Sequence, residues 1–305
     1  MSQQTTSRVI MVRPAAFGYN VETAANNTFQ HVPQSGQDEV KAQAILEFDR
    51  LVATLRDAGV DVLLVEDTNT PVKPDAVFPN NWFSLHEDGT VVTYPMYSAL
   101  RRQERREDLV DQLSREFIIH QRLSLEIREI HEQFLEGTGS MVLDRANKIA
   151  YACISPRTDA EVLKQWCDMM GYQPFTFHAT YHGQEIYHTN VMMAIGDGVA
   201  VICLEVIEPG LRQKTREHLM SFGREVVELR LDQIDAFAGN MLAVRSKTGE
   251  QLMVMSRTAH ESLDKNQKAS IERHARILSS DVHTIETIGG GSVRCMIAEN
   301  FLQKL

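Results

Sequence analysis

The stretch Thr189–Ile207, TNVMMAIGDGVAVICLEVI, decides the fold of this chain. It consists of two apolar runs on either side of Asp197-Gly198, a dipeptide typical of the tight turn in a β-hairpin. We therefore expect a β-hairpin here.

The same arrangement occurs three more times along the chain. Each copy begins with small polar residues, continues through an apolar run and a turn, and ends in a second apolar run; the copies are Asn80–Met96, Gly139–Ser155 and Gly239–Ser256. The second residues of the four segments are spaced by 59, 50 and 50 positions; they are Asn81, Ser140, Asn190 and Asn240. Such a period indicates a repeated supersecondary unit.

Helical patterns separate the hairpins, and each is followed by a predicted strand. The predicted helices are Val40–Ala58, Thr158–Met170, Leu211–Phe222 and Leu263–Leu278, and the strands after them are 60–66, 172–179, 224–231 and 281–288. Thr158 and Glu161 have the spacing of a capping box. A further, densely charged helix is predicted over Ser98–Glu116, with its charges on a solvated face.

A unit of about 50–60 residues leaves room for five units in 305 residues. The first unit would be split between the chain ends, with strands predicted at Val9–Pro14 and Ser292–Glu299. Because such units cannot bury their sheets alone, they must pack around a common axis. We therefore predict a single α/β domain over residues 1–305, a five-bladed pseudo-symmetric α/β propeller. Two ordinary α/β domains are the alternative.

Composition excludes several classes of protein. The net charge of −10 argues against a nucleic-acid partner. The sequence has no run of 18 apolar residues, so no membrane span is predicted. The start of the chain lacks a secretory pattern, and we therefore expect a cytoplasmic protein. Four scattered cysteines without a C-x-x-C pair predict neither a disulfide framework nor a zinc site. We expect neither a metal nor a cofactor.

Three chemically capable side chains lie at the starts of predicted hairpins, which would face the channel of a radial fold. Glu136 precedes His188 by 52 residues, and His188 precedes Cys295 by 107, roughly two units. Each has an ordinary structural interpretation when taken alone: a turn acid, a core histidine, a buried cysteine. The other cysteines, Cys153, Cys167 and Cys203, lie in apolar strands or on a helix and are interpreted as packing residues.

These motifs resemble the pentein, or guanidino-group modifying, superfamily, which includes arginine deiminases, dimethylarginine hydrolases and amidinotransferases. The marks are MVRPAAFGYN, FPNNWF, a Glu-Gly, a His-x-Asn and a glycine-rich run into Arg-Cys-Met, and they cover essentially the whole chain. The resemblance is nearest to the citrulline-hydrolysing branch and implies a five-bladed α/β propeller. It also implies that Cys295 is the nucleophile, His188 the general acid/base, and Glu136 a carboxylate that holds a substrate nitrogen and orients the site.

Two positions differ from the arginine-directed members of the superfamily. Asn81 and Asn190 stand where those members have aspartates that clamp a guanidinium. A guanidinium offers only N–H donors, whereas a neutral ureido group also carries a carbonyl oxygen that an amide N–H can bind. The two asparagines therefore favour citrulline, although asparagine is also common in turns. An arginine deiminase or amidinotransferase remains the alternative.

The predicted hydrolysis yields ornithine, ammonia and CO2 through attack by the Cys295 thiolate, with His188 moving the protons. As imidazolium, His188 would favour the thiolate; alternatively, it would deprotonate the thiol when substrate binds. Asp75 resembles the position that contacts the substrate backbone, and Phe78 and Asn240 complete the predicted binding set. The candidates for the substrate carboxylate are Arg13, Arg157, Arg257 and Arg294, the last being disfavoured by strand alternation.

The predicted partner is a small amino acid, and a homo-oligomer is possible on the sequence. Two rival functions stay open at this point. One is a binding module without catalysis, and the other is a two-domain enzyme with an unrelated site, in which the three predicted catalytic residues would be dispersed.

Overall fold

The computed structural model describes residues 3–305 and has a mixed α/β fold. Within this range, five three-stranded sheets share one pattern: a first strand pairs antiparallel with a second, and a third runs parallel to the second. The sheets are β17(Ala298–Glu299)–β1(Arg8–Arg13)–β2(Asp61–Glu66), β3(Phe83–Leu85)–β4(Thr90–Thr93)–β5(Gln121–Ser124), β6(Val142–Asp144)–β7(Ile149–Cys153)–β8(Gln173–Phe177), β11(Met193–Ile195)–β12(Val199–Ile202)–β13(Glu225–Glu228) and β14(Leu242–Arg245)–β15(Gln251–Ser256)–β16(Arg276–Ser280). Strands β9(Thr180–Tyr181) and β10(Gln184–Glu185) form a small separate ribbon.

All four predicted hairpins are present, as pairs β3–β4, β6–β7, β11–β12 and β14–β15. The turn of the third places Gly198 at φ +76°, a left-handed conformation that costs glycine little. Strand β12 is buried along its whole length. The first sheet joins the two chain ends, because Val9 pairs with Glu299 and β1 runs parallel to β2.

The helices cover the sheets, and the core lies between the two. They are α1(Val21–Ala24), α2(Gln37–Asp57), α3(Ala99–Arg102), α4(Glu107–Leu113), α5(Gly137–Ser140), α6(Ala160–Met170), α7(Pro209–Ser221), α8(Arg257–Ser262), α9(Lys265–Glu272) and α10(His283–Gly289). Predicted helix 40–58 corresponds to α2, which buries an apolar stripe containing Phe48, Leu51 and Leu55. Short 3-10 turns lie at Pro79–Asn81, Glu126–His131, Thr189–Val191, Leu204–Val206 and Leu231–Gln233.

The predicted cap of α6 is wrong by one residue. Asp159, not Thr158, is the N-cap, and its carboxylate accepts hydrogen bonds from the backbone N–H groups of Glu161 and Val162. A carboxylate at this position satisfies two unpaired N–H groups and complements the positive end of the helix.

The region after α8 also differs from its prediction. Predicted helix 263–278 is divided into α9 and the parallel strand β16, and predicted strand 281–288 is helix α10. Apolar side chains at Val282, Ile285 and Ile288 recur every three residues, a helical spacing. In addition, the buried Glu47 carboxylate accepts the N–H groups of Thr284 and Ile285 and so caps α10 from a distant helix.

Two further predicted elements are interrupted. Predicted helix 98–116 is broken into α3 and α4, and Arg101 is buried rather than solvated because acceptors in the interior bind its guanidinium. Predicted strand 292–299 is regular only at β17. The residues before β17 form successive turns, in which the Cys295 N–H donates to the Ser292 carbonyl at 2.9 Å.

Candidate functional site

The three predicted catalytic residues come together at one buried site. Cys295 and His188 line the same narrow cavity, and His188 Nε2 lies 2.8 Å from Glu136 Oε2. All three side chains are buried. They approach from three parts of the chain, because each lies in the segment that leads into the first strand of a different sheet.

Close backbone packing around α5 brings these segments together. An added Cβ at Gly139 would lie 2.3 Å from Asn81 Nδ2 and 2.7 Å from His188 Nδ1, so only glycine leaves room for both side chains. Gly137 has φ +48°, and an added Cβ there would lie 2.4 Å from the Asn80 carbonyl oxygen. The glycine of the Glu-Gly motif therefore allows these backbone segments to pack closely at the site.

Glu136 remains ionised although it is buried. Burial opposes the charge, but Arg157, His188 and Arg101 outweigh it and lower the pKa of Glu136 to about 2. Its Oε1 accepts the Tyr97 N–H at 2.9 Å, and its Oε2 faces His188. Both oxygens are engaged and the side chain does not line the cavity, so this geometry favours an orienting role over contact with a substrate nitrogen.

His188 is held as a neutral imidazole. Burial lowers its pKa to about 4, reinforced by the cations Arg157 and Arg101 and opposed by Glu136. A neutral ring accepts a proton, so the geometry favours deprotonation of a thiol by His188 over a resting imidazolium. The hydrogen bond to Glu136 fixes the plane of the ring and stabilises the imidazolium once the proton has been accepted.

Two asparagine amides contact the sulfur of Cys295. Asn240 Nδ2 lies 3.3 Å and Asn190 Nδ2 3.5 Å from Sγ. The orientation of the Asn240 amide follows from its neighbour, because the Arg294 N–H donates to its Oδ1 at 3.0 Å. Both residues are predicted to bind substrate, and they lie beside the sulfur, where N–H donors stabilise negative charge.

Asn81 does line the cavity, and only one end of its amide group has a hydrogen-bond partner. Arg101 NH1 donates to Asn81 Oδ1 at 2.9 Å, whereas Asn81 Nδ2 is buried without a partner in residues 3–305. An unpaired buried donor is costly and indicates a position completed by a ligand. The unpaired group of Asn81 is thus a donor.

Asp75 and Phe78 also line the cavity. Asp75 Oδ2 accepts a hydrogen bond from Asn20 at 2.7 Å, and its Oδ1 is unpaired within the described range. Burial raises the pKa of Asp75, and the charge of Arg101 opposes this effect. The Phe78 ring packs directly on Gly289 and Gly291, where an added Cβ would lie 2.9 and 3.1 Å away.

Of the four arginines considered for the substrate carboxylate, Arg157 alone lines the cavity. Arg13 and Arg257 form ion pairs at the surface, and Arg294 is buried against Glu299. Arg157 is fixed by Asn26 Oδ1 at 2.9 Å and lies 4.7 Å from the Tyr187 ring centroid.

Several lining residues escaped the sequence analysis. Arg101 lies in a charged segment with no sign of burial, and the remaining ones come from the segment around α1 and from the position before His188; they are Thr23, Asn27 and Tyr187. Tyr187 adjoins the His-x-Asn motif, which was the signal available for it.

Neither a metal cluster nor a membrane helix is seen in the described chain. In residues 3–305, no three His, Cys, Asp or Glu side chains are grouped to hold a metal ion. No helix in the same range combines the length and the apolar character needed to cross a membrane.

Comparison with known proteins places this geometry in context. Residues 13–302 match the sequence model of a family described as N,N-dimethylarginine dimethylhydrolase, eukaryotic. A search of curated protein sequences found no significant match.

Solved structures share the fold at low identity. The N-terminal domain of ArgZ bound to product, an arginine dihydrolase from the ornithine-ammonia cycle in cyanobacteria, is 17% identical with a TM-score of 0.73, covering 96% of each chain. A dimethylarginine dimethylaminohydrolase adduct with S-methyl-L-thiocitrulline is 16% identical with a TM-score of 0.66, covering 97% of this chain and 99% of the other. The chain spans 40% of full-length ArgZ, at 17% identity and a TM-score of 0.73, with 95% of its own length covered.

Proposed function

The chain belongs to the family described as N,N-dimethylarginine dimethylhydrolase, eukaryotic, and we propose that it is a cysteine-dependent hydrolase acting on the ureido group of citrulline. The proposal treats residues 1–305 as one catalytic domain with five sheets arranged as blades around a common axis. A homo-oligomeric state and a cytoplasmic location stay predictions.

The observation that carries the proposal is the orientation of Asn81. Arg101 occupies its amide oxygen, which leaves the NH2 group as the unpaired part of the amide, available to a ligand. A ureido oxygen accepts such a hydrogen bond, whereas a guanidinium has only donors to offer.

The amino-acid end of citrulline has complementary partners on the cavity wall. We assign the α-ammonium to the unpaired Oδ1 of Asp75 and the α-carboxylate to the guanidinium of Arg157. Both side chains are buried, so these charge-assisted contacts are shielded from water.

The proposed reaction proceeds in two steps through the sulfur. His188 takes the thiol proton, and Cys295 Sγ forms a bond to the ureido carbon. Breakage of the bond between this carbon and the ornithine nitrogen follows, with His188 returning the proton to the leaving amine. His188 then activates a water that cleaves the carbamoyl thioester, and the released carbamate decomposes to ammonia and CO2.

Product analysis tests the proposal directly. Purified protein incubated with citrulline should yield ornithine and ammonia in equal amounts, and mass spectrometry of quenched protein should find a carbamoyl group on Cys295. Citrulline formed from arginine or from a methylated arginine, with no ornithine formed from citrulline, would refute it.

A guanidino substrate is the second candidate, and the family match favours it. The free oxygen of Asp75 is an acceptor that a guanidinium can use. Arginine deiminase and amidinotransferase chemistry share the covalent step, and an arginine dihydrolase would release ornithine from arginine. Running arginine and dimethylarginine in parallel with citrulline separates these outcomes.

A further inference from the structure

Glu104 is a buried acid that the proposed reaction does not use. Its side chain is 1% exposed, and its two oxygens accept hydrogen bonds from Arg101 Nε at 2.9 Å and Arg101 NH2 at 3.0 Å. Within residues 3–305, the Glu104 carboxylate makes no other hydrogen bond. A bidentate pair of this kind fixes the plane of the guanidinium as well as its position.

The fixed guanidinium is what orients Asn81. With Nε and NH2 held by Glu104, the NH1 group of Arg101 donates to Asn81 Oδ1 at 2.9 Å. Two other carboxylates compete for the same cation, because Asp75 and Glu136 each lie 3.8 Å from an Arg101 nitrogen. Glu104 thus determines which neighbouring group the Arg101 guanidinium contacts.

We propose that Glu104 is a positioning residue for substrate choice: by holding Arg101, it keeps the Asn81 oxygen occupied and the Asn81 NH2 group directed at the substrate. This arrangement selects a neutral ureido headgroup over a guanidinium. The inference rests on the proposed function and extends it to a residue outside the cavity.

Replacing Glu104 by glutamine removes the charge and leaves the shape nearly unchanged. Arg101 then moves toward Asp75 and Glu136, whose negative charges attract it. Asn81 loses its partner, and its amide rotates to offer either the oxygen or the NH2 group to the substrate. A guanidinium is then accepted, because an oxygen acceptor becomes available.

The test compares two constants within each variant: the KM for citrulline and the inhibition constant of arginine against citrulline hydrolysis. In Glu104→Gln the ratio of the arginine constant to the citrulline KM should fall about tenfold, with a smaller change in kcat. The matched control is Glu129→Gln, which removes a carboxylate that pairs with Arg102 and Arg105 outside the cavity. The control should keep the wild-type ratio.

The wild-type protein provides a second measurement that needs no variant. Burial raises the pKa of Glu104 to about 7 against the opposing charge of Arg101, and Asp75 and Glu136 raise it further. The protonated fraction of Glu104 therefore increases as the pH falls through neutrality, so the wild-type ratio should move toward the Glu104→Gln value. In Glu104→Gln this movement should be absent.

Two results would overturn the inference, and a third would contradict the proposed function. If the movement with pH persists in Glu104→Gln, another group such as Asp75 is its source and the inference is overturned. An unchanged ratio in Glu104→Gln, with citrulline hydrolysis intact, overturns it as well and leaves the proposed function standing. A wild-type protein that forms no ornithine from citrulline contradicts the proposed function itself.

Discussion

At the scale of single residues, the site consists of charges that are kept apart from water and paired with one another. His188 and Glu136 exchange a 2.8 Å hydrogen bond in a fully buried setting, where the pKa of each lies below its ordinary value. Two asparagine amides face the sulfur of Cys295. The proposed proton transfers depend on both effects, because burial keeps the imidazole neutral before substrate binds and Glu136 stabilises it once charged.

Replacing Cys295 by alanine should reduce turnover by about 10⁴-fold or more, because it removes the proposed nucleophile. Ornithine formation under saturating substrate measures the loss. Cys167→Ala is the matched control: it removes a buried thiol from α6, away from the cavity, and should keep wild-type turnover. Substantial turnover in Cys295→Ala would exclude covalent catalysis by this residue.

The low pKa of His188 makes the protein sensitive to acid. The unfolded chain binds a proton at His188 below pH 6.5, its ordinary value, whereas the folded protein does not bind it until about pH 4. Acid therefore favours unfolding, and stability should fall by about 3 kcal/mol between pH 7 and pH 4 from this group, with no further loss below.

Urea denaturation at several pH values measures this effect, with His188→Gln as the comparison. The variant should lose less free energy of unfolding over the same interval. Equal losses in both proteins would show that His188 does not carry the effect. The pKa of Glu136, lowered to about 2, adds stability above pH 4.5 that is lost as the pH falls toward 2.

At the scale of elements, short turns rather than long helices position the site residues. Helix α5 has four residues, yet Gly139 within it is the point where Asn81 and His188 approach each other. The 3-10 turns Pro79–Asn81 and Thr189–Val191 lie against it. These turns set the distances between the catalytic groups, because each connects a site residue rigidly to the strand that follows.

Replacing Gly139 by alanine should lower kcat/KM about a hundredfold, since the methyl group would displace Asn81 or His188 by several tenths of an ångström or more. The circular dichroism spectrum should stay close to wild type. Gly210→Ala is the control, because an added Cβ there meets nothing within 4 Å. Wild-type kinetics in Gly139→Ala would contradict the packing described around α5.

At the scale of the whole molecule, one sheet joins the two ends of the chain. Strand β1 lies between β17 and β2, and Ile10 at its centre is fully buried. The Arg8 guanidinium also donates to the Leu302 carbonyl at 2.5 Å. Cys295, the proposed nucleophile, lies a few residues before β17, so this closure positions it as well as stabilising the fold.

Truncating Ile10 to alanine should lower the free energy of unfolding by about 2–5 kcal/mol, because it removes buried apolar contacts from the central strand of this sheet. Equilibrium urea denaturation measures the change. Ile130→Ala removes an isoleucine that is 74% exposed and should alter stability by less than about 0.5 kcal/mol. Equal effects of the two substitutions would contradict a structural role for β1.

The local signals in the sequence were sufficient for the repeated hairpins and for α2. Apolar runs on either side of turn dipeptides act within a few residues, so they predict pairs such as β11–β12 without knowledge of the rest of the chain. The repeat also aligned Glu136, His188 and Cys295 at equivalent positions. Identical units place equivalent residues in equivalent surroundings, which is why a pattern along the chain predicted a meeting in space.

The tertiary structure decided what depends on contacts between distant segments. Helix α10 was misjudged as a strand, and the carboxylate that caps it comes from Glu47, more than 230 residues earlier. The sequence predicts a solvated Arg101, whereas in the structure Glu104 and Asn81 bind its guanidinium. The orientation of the Asn81 amide, on which the proposed substrate depends, is likewise set by that guanidinium. Such features arise from partners that only folding brings together, because a side chain's own sequence neighbours do not determine its hydrogen bonds.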